Sequence, residues 1–447
     1  MASPLNLTKG SVPKLLLLFS LPLVLTNFLQ TIHLMLDLLL LGRALGADAI
    51  GAVAVGGQSI LLLSTFSIGL SAGGQILIAQ KRGAKEEEQE TNIEKATLTL
   101  SLLAGIFFSL FAYFAAGVIL NLLQTPPEAF DKAKEYMQVL SLGLLATFLY
   151  QGVAGVLRGR GEARLPLLCM AIATGIHLLL GLLFVFVFSW GMTGAAISGI
   201  IGQSIATVLG LFFLWKKGKK PSPKSKTILP NPGTCLQIVK LGLPFGLQMG
   251  LLQLANVFVI RLIAPFGISA VSALGVSARV TNMLTLPMMA IGNAASSMIG
   301  QNLGAKEISR AKAVIGFTKL YTLSFIGVTT VVTLLFPAPL LQLFTDDPQV
   351  ISIGSVYLRI LSASYLAHAL HSIFNAPLLA SGKTSYSLYA AGAEGLLGRI
   401  LLTWVFSNTW GLTGIFIAQA ISSYLGSFLL WFYYRKHNLE TALPPSQ

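Results

Sequence analysis

The sequence predicts an all-α membrane protein: twelve transmembrane helices arranged as two pseudo-symmetric six-helix lobes around a central cavity. Three observations carry this. Of its 447 residues 54% are hydrophobic and only 10% charged, against about 25% charged in a soluble domain. Apolar runs of the roughly 20 residues needed to cross a bilayer recur from end to end. The first half of the chain also repeats in the second.

The apolar runs lie near 14–41, 49–79, 96–122, 135–157, 165–189, 193–215, 236–264, 268–300, 313–342, 350–379, 385–408 and 411–434. Alternate loops collect the basic residues: Lys81, Arg82, Lys85 and Lys95; Arg158, Arg160 and Arg164; Lys216 to Lys226; Lys306, Arg310 and Lys312; Lys383; Arg435 and Lys436. The opposite loops hold little beyond Arg43, Lys132 and Lys134. By the positive-inside rule the basic loops and both termini are cytoplasmic, in a plasma membrane. The net charge of +14 is then read as contact with anionic headgroups, and nucleic acid is not expected as a partner. Cys169 and Cys235 do not suggest a disulfide framework. No cleavable signal pattern precedes the first run, which is expected to stay in the mature chain.

Segment Gln80-Lys-Arg-Gly83-Ala84-Lys85-Glu86 returns as Gln301-Asn-Leu-Gly304-Ala305-Lys306-Glu307, 221 residues on. Leu21-Pro22 answers Leu243-Pro244, and Trp190-Gly191-x-Thr193-Gly194 answers Trp410-Gly411-x-Thr413-Gly414. With six spans in each copy the halves are parallel repeats related by an axis along the membrane normal. Prolines 221, 223, 230 and 232 with a lysine cluster mark a non-helical join. The expected organisation is an amino-terminal lobe at 1–215, a cytoplasmic linker at 216–235, a carboxyl-terminal lobe at 236–434 and a tail at 435–447. The repeated Gly-Ala-Lys-Glu is read as architecture, its glycine ending a helix and its lysine meeting headgroups.

The first span carries a carboxylate, Asp37, at membrane depth, where a charge is costly and usually functional. At 100° per residue Thr26, Gln30, His33 and Asp37 fall on one helix face within an arc of about 60°. Pro22 removes a backbone donor from the same span and is read as its hinge.

These features identify a resemblance to the multidrug and toxic compound extrusion (MATE) family over essentially the whole chain. It rests on the duplicated spans, the Gln-x-x-Gly-Ala exits, Leu157-Arg-Gly159-x-Gly161, and Pro22 followed fifteen residues later by Asp37, as in the DinF-like and NorM-like branches. The resemblance implies secondary active efflux of bulky, often cationic organic compounds in exchange for inward protons or sodium ions, with Asp37 as the coupling carboxylate. Many members complete a sodium-type site with Asn and Asp in the fifth span and Thr in the sixth. Here the matching positions are His177, Gly181 and Gly199, which offer no side-chain oxygen to a hard cation. The expected coupling ion is therefore H+, carried at Asp37 and tuned by His33 or His177. A packing role for His177 is the alternative.

Gln58, Gln151, Gln203, Gln248 and Gln253, with Thr26 and Gln30, are the candidates for substrate contact. Glu394, deep in the eleventh span, is a possible second acidic site, or else half of a buried ion pair with Arg399 or Arg261. His368, His371 and Asn375 share a helix face without a carboxylate or thiol at metal-site spacing, and neither metal nor cofactor is expected. Nothing resembles a phosphate loop or a nucleophile elbow, so the chain is not read as an enzyme. The rival readings are sodium-coupled efflux and a flippase for a lipid-linked saccharide. The latter would need clustered deep cations, of which the sequence offers mainly Arg261 and Arg399. The expected partners are small drug-like molecules and the bilayer, and the expected state is a monomer.

Overall fold

The computed structural model describes residues 5–45, 47–123, 125, 127–217 and 230–436; the side chains of residues 34, 37–39, 42–45, 47–54, 128 and 217 stand outside the description. Most of the expected linker and tail therefore lie outside the described residues. Those residues form helices throughout, without a strand.

Helices α1 (Val12–Leu45), α2 (Ala47–Gly83), α3 (Glu87–Leu122), α4 (Pro127–Gly159), α5 (Arg164–Leu182) and α6 (Gly191–Lys217) account for the first six spans. Then follow α7 (Pro232–Ile263), α8 (Ile268–Gly304), α9 (Ile308–Leu335), the short α10 (Pro337–Gln342), α11 (Pro348–Ser362), α12 (Tyr365–Ala380), α13 (Ser385–Gly392) and α14 (Thr403–Lys436). Among the described residues nine helices are long and apolar enough to cross a bilayer alone, and α11 with α12, bent by 44°, makes a tenth span. The ninth of those stretches, Ser385–Lys436, holds two expected spans, separated where Gly411 leaves helical geometry at φ 58°. Adding the less apolar α8 recovers the twelve.

Three features depart from a plain run of helices. The tenth span is two helices rather than one, broken at Ala363 and Ser364. Both fifth spans of the repeat contain π-helical turns, Leu183–Val187 at the end of the span in the first half and Ala393–Leu402 in the middle of the span in the second. The glycine of Gly-Ala-Lys-Glu does end its helix, Gly83 and Gly304 being the last residues of α2 and α8, while the left-handed conformation falls two residues later, on Lys85 and Lys306, at φ 59° and 61°. There the Glu86 and Glu307 amides donate back to the carbonyls of Lys81 and Asn302, satisfying helix-end acceptors.

The chain forms two compact units, one of Leu25–Gly246 and one of Asn6–Val24 with Leu247 onward. Both crossings follow a repeated proline by two residues, Pro22 within α1 and Pro244 within α7. In the first unit α2 and α4 pack closely, and α2 takes the opening half of α7 against glycines. A Cβ on Gly242 would lie 2.6 Å from the Gly69 carbonyl oxygen, so only hydrogen fits between these backbones. The core there joins Ile78, Tyr150, Val153, Cys169, Met170, Ala173 and Ile238. In the second unit Val259, Ile263, Leu274, Tyr357, Leu361 and Phe416 pack together. Large apolar side chains such as Phe107 and Phe114 remain exposed on the outer face of α3, as hydrocarbon surroundings permit.

Several basic residues expected to meet headgroups are instead committed to protein partners. Arg160 binds Glu90 at 2.8 Å and Glu94 at 2.6 Å, and Arg82 binds Glu90 at 3.1 Å. Arg158 donates to the Gln75 Oε1 at 2.9 Å and to the Ser71 Oγ at 3.0 Å. These helix ends bring carboxylates and amides close enough that pairing replaces headgroup contact. Arg261 is also not a deep cation: it lies in the last turn of α7 and is exposed. Arg279, within α8, is a further exposed cation that the sequence reading passed over.

Candidate ion-coupling site

The site is built by α1, α5 and α6. α1 runs uninterrupted through Pro22 to Leu45 because its remaining residues are strong apolar helix formers. Its carboxyl-terminal end is fixed by Leu40 and Leu41, which pack with Val185 of the first π-turn and with Ala195 and Ala196 of α6. That anchoring brings the preceding turns of α1 alongside α5.

There His33 of α1 meets His177 of α5. Their Nδ1 atoms are 3.3 Å apart and the rings, tilted by 58°, have centroids at 4.4 Å. One nitrogen must donate and the other accept, so the contact holds with one facing proton and is opposed when both nitrogens carry one. His177 is 1% exposed, and His33 is half-buried.

α6 makes room for this pair with glycine. A Cβ on Gly199 would stand 3.4 Å from both the Cε1 and the Nε2 of His177. One on Gly202 would come within 2.7 Å of the Ala173 carbonyl oxygen and 3.2 Å of the His177 Cβ. A side chain on Gly181 would run into Leu40 and approach the Ser198 hydroxyl at 3.3 Å. Of the three positions matched to the family's sodium-type site, His177 and Gly181 lie against α1 and Gly199 lies against His177, and together they supply an imidazole and two bare backbones. Asp37 belongs to the same stretch of α1, one turn beyond His33, but its side chain lies outside the described residues.

The other candidates are dispersed. Thr26 is buried in α1, and Gln30 is half-buried one turn further. Gln58 of α2, Gln151 of α4 and Gln203 of α6 are half-buried in the first unit, and Gln253 of α7 is half-buried in the second. The carbonyls of Gln151 and Gln203 accept bonds from Ser71 and Thr207, so these residues have a packing role at the backbone level. Gln248 is fully buried in α7.

Glu394 forms a separate cluster in the second unit. It is 4% exposed and pairs with Arg399 at 2.8 Å, while Arg399 also donates to the Asn256 Oδ1 at 2.6 Å. Of the two cations considered for Glu394, the structure pairs it with Arg399. No group of three or more metal-ligating side chains occurs among the described residues.

A family model described as MatE matches residues 22–183 and 244–405, the two halves of the repeat. The chain is 31% identical over 430 residues to "Probable multidrug resistance protein YpnP" of Bacillus subtilis (strain 168), covering 96% of each protein. It is also 31% identical over 385 residues to "Probable multidrug resistance protein YoeA" of the same strain, covering 84% of this chain and 82% of the relative. Among solved structures, the "Outward-facing conformation of a multidrug resistance MATE family transporter of the MOP superfamily" superposes with a TM-score of 0.90 over 99% of both chains at 20% identity, which shows the shared fold. On the strength of both matched halves and the full-length relatives, the chain belongs to the MATE family of multi-pass membrane transporters.

Proposed function

We propose that this chain exports small organic compounds, bulky and often cationic, in exchange for inward protons, with Asp37 as carrier and the His33–His177 pair as its partner. The multidrug resistance names of the relatives support the cargo class. The observation that carries the choice of ion is the 3.3 Å imidazole contact at a position where family members of the sodium type place oxygen ligands. A hard cation asks for several oxygens, and Gly181 and Gly199 offer none from side chains. A proton needs only one base, and a carboxylate or an imidazole nitrogen can be that base. Protonation on α1 changes what its outer half prefers to pack against, and the break in hydrogen bonding at Pro22 lets that half respond without the inner half.

The same reading puts the basic loops and both termini in the cytoplasm, the chain in the plasma membrane, and the working unit as a monomer. It is tested by reconstituting the protein in vesicles and imposing a proton gradient or a sodium gradient separately. Efflux driven by protons without sodium is expected. Efflux that follows sodium at fixed pH on both sides rejects the proposal.

A further inference from the structure

Two exposed helix faces in this chain are written in different residues. Along α3 the exposed side chains include Leu103, Phe107, Leu110, Phe114, Val118 and Leu122, an apolar face suited to hydrocarbon. Along α8 the exposed positions are Ser272, Gly275, Arg279, Asn282, Met289 and Asn293, with Ile268 at the start of the helix and Met283 at the edge of the face. Their spacings of 3, 4, 3, 7 and 4 keep the six on one side of the helix.

The opposite side of α8 is committed to packing. Leu274 joins Tyr357 and Leu361 of α11, Val280 joins Leu358, and Met288 joins Ile326 of α9 with Tyr365 and Ala369 of α12. These contacts fix the rotation of α8, so the polar stripe turns away from the core of the second unit. A Cβ on Gly275, one turn before Arg279, would meet nothing within 4 Å. Lipid tails cannot hydrogen-bond serine, asparagine or guanidinium, and a stripe of this composition at membrane depth faces water.

Arg279 is the charged member of the stripe. It lies eleven residues past Ile268, about 17 Å along the helix axis and well past a headgroup layer roughly 5–8 Å thick. Among the described residues it has no hydrogen bond or ion pair. Glu394, the carboxylate within a span of the second unit, is held by Arg399 at 2.8 Å, and Asp347 caps α11 through the amides of Gln349 and Val350. A guanidinium is a planar fork of donors that fits a carboxylate or a phosphate with two parallel bonds.

We propose that Arg279 is a cargo-binding residue that takes an oxyanion, a carboxylate or a phosphate, so that the preferred cargo is zwitterionic, an organic cation that also bears an anionic group. Asn282, three residues on, presents an amide on the same face for a neighbouring polar group of the cargo. The inference deepens the export reading and rests on it for the identity of the ligand as cargo, but binding itself is measurable without transport.

The probes are rhodamine B, which carries a carboxylate and a delocalised cation, and its ethyl ester, which carries the cation alone. Binding of each to purified protein in detergent is followed by fluorescence anisotropy. The parent should bind rhodamine B about tenfold more tightly than the ester, the low end for a charge-assisted hydrogen bond. Folded Arg279→Gln should bind both alike, and Arg279→Lys should keep part of the preference. Equal binding of the two dyes by the parent overturns the proposal, as does a preference that survives in Arg279→Gln. Melting temperatures in micelles with and without phosphatidylglycerol tell a cargo oxyanion from a lipid phosphate. Stabilisation by that lipid which is lost in Arg279→Gln while the dye preference stays makes Arg279 a headgroup anchor and rejects the proposal. Discrimination between the dyes without efflux of either from vesicles, under a proton or a sodium gradient, rejects the export reading and leaves the binding site standing.

Discussion

Gly199 of α6 lies directly against the imidazole of His177, so close that a Cβ would stand 3.4 Å from two ring atoms. Glycine there turns bare backbone toward the ring, where a methyl group would already be in van der Waals contact with it.

The first prediction concerns this packing. Gly202→Ala puts a methyl group 2.7 Å from a backbone oxygen of α5, and backbone yields less than a side chain. A loss of about 1–3 kcal/mol is expected from overpacking, read as a lower melting temperature. Gly199→Ala, whose contacts are less tight, should cost less than Gly202→Ala.

A second prediction separates the histidines from mere packing. His33→Asn keeps a polar side chain of moderate size but removes the imidazole that meets His177 at 3.3 Å. Efflux should persist with a pH profile displaced from that of the parent, and sodium should not restore the original profile. A superimposable profile would reduce the imidazole contact to packing.

The ion pairs at the basic ends of α3 and α4 should be structural. Arg160→Ala leaves Glu90 and Glu94 without their closest cation, in a site where the three side chains are 14%, 8% and 17% exposed. Removing one member of a buried pair costs about 3–5 kcal/mol, and a value at or below the low end is expected because Arg82 still holds Glu90. Denaturation of purified protein would check it.

The repeated lysines offer a gain. Lys85 and Lys306 sit at φ 59° and 61°, a conformation that costs an L-residue about 1–2 kcal/mol and glycine almost nothing. Each Lys→Gly substitution should raise the melting temperature, less the entropy of the added glycine in the unfolded chain.

Much of this fold was legible because bilayer crossing demands long apolar helices, and duplication wrote the same marks twice. The spans, the repeat and Pro22 followed by Asp37 needed no coordinates. The π-turns left no such mark: Leu183–Val187 is a bulky apolar run like many others, and only neighbours in space decide its register. The partners of Arg158 and Arg160 were hidden for a similar reason, since Gln75, Glu90 and Glu94 come from other helices. Conversely, the matching of His177, Gly181 and Gly199 by sequence gains its meaning from packing, which puts His177 and Gly181 against α1 and Gly199 against His177.

The most direct test of the central claim is cargo efflux from vesicles holding the purified protein, with a proton gradient imposed in sodium-free buffer, for the parent and for Asp37→Asn. Proton coupling at Asp37 predicts efflux by the parent that collapses when the pH gradient is dissipated, and none from folded Asp37→Asn. Efflux that needs sodium, or that proceeds unchanged in Asp37→Asn, would contradict the account.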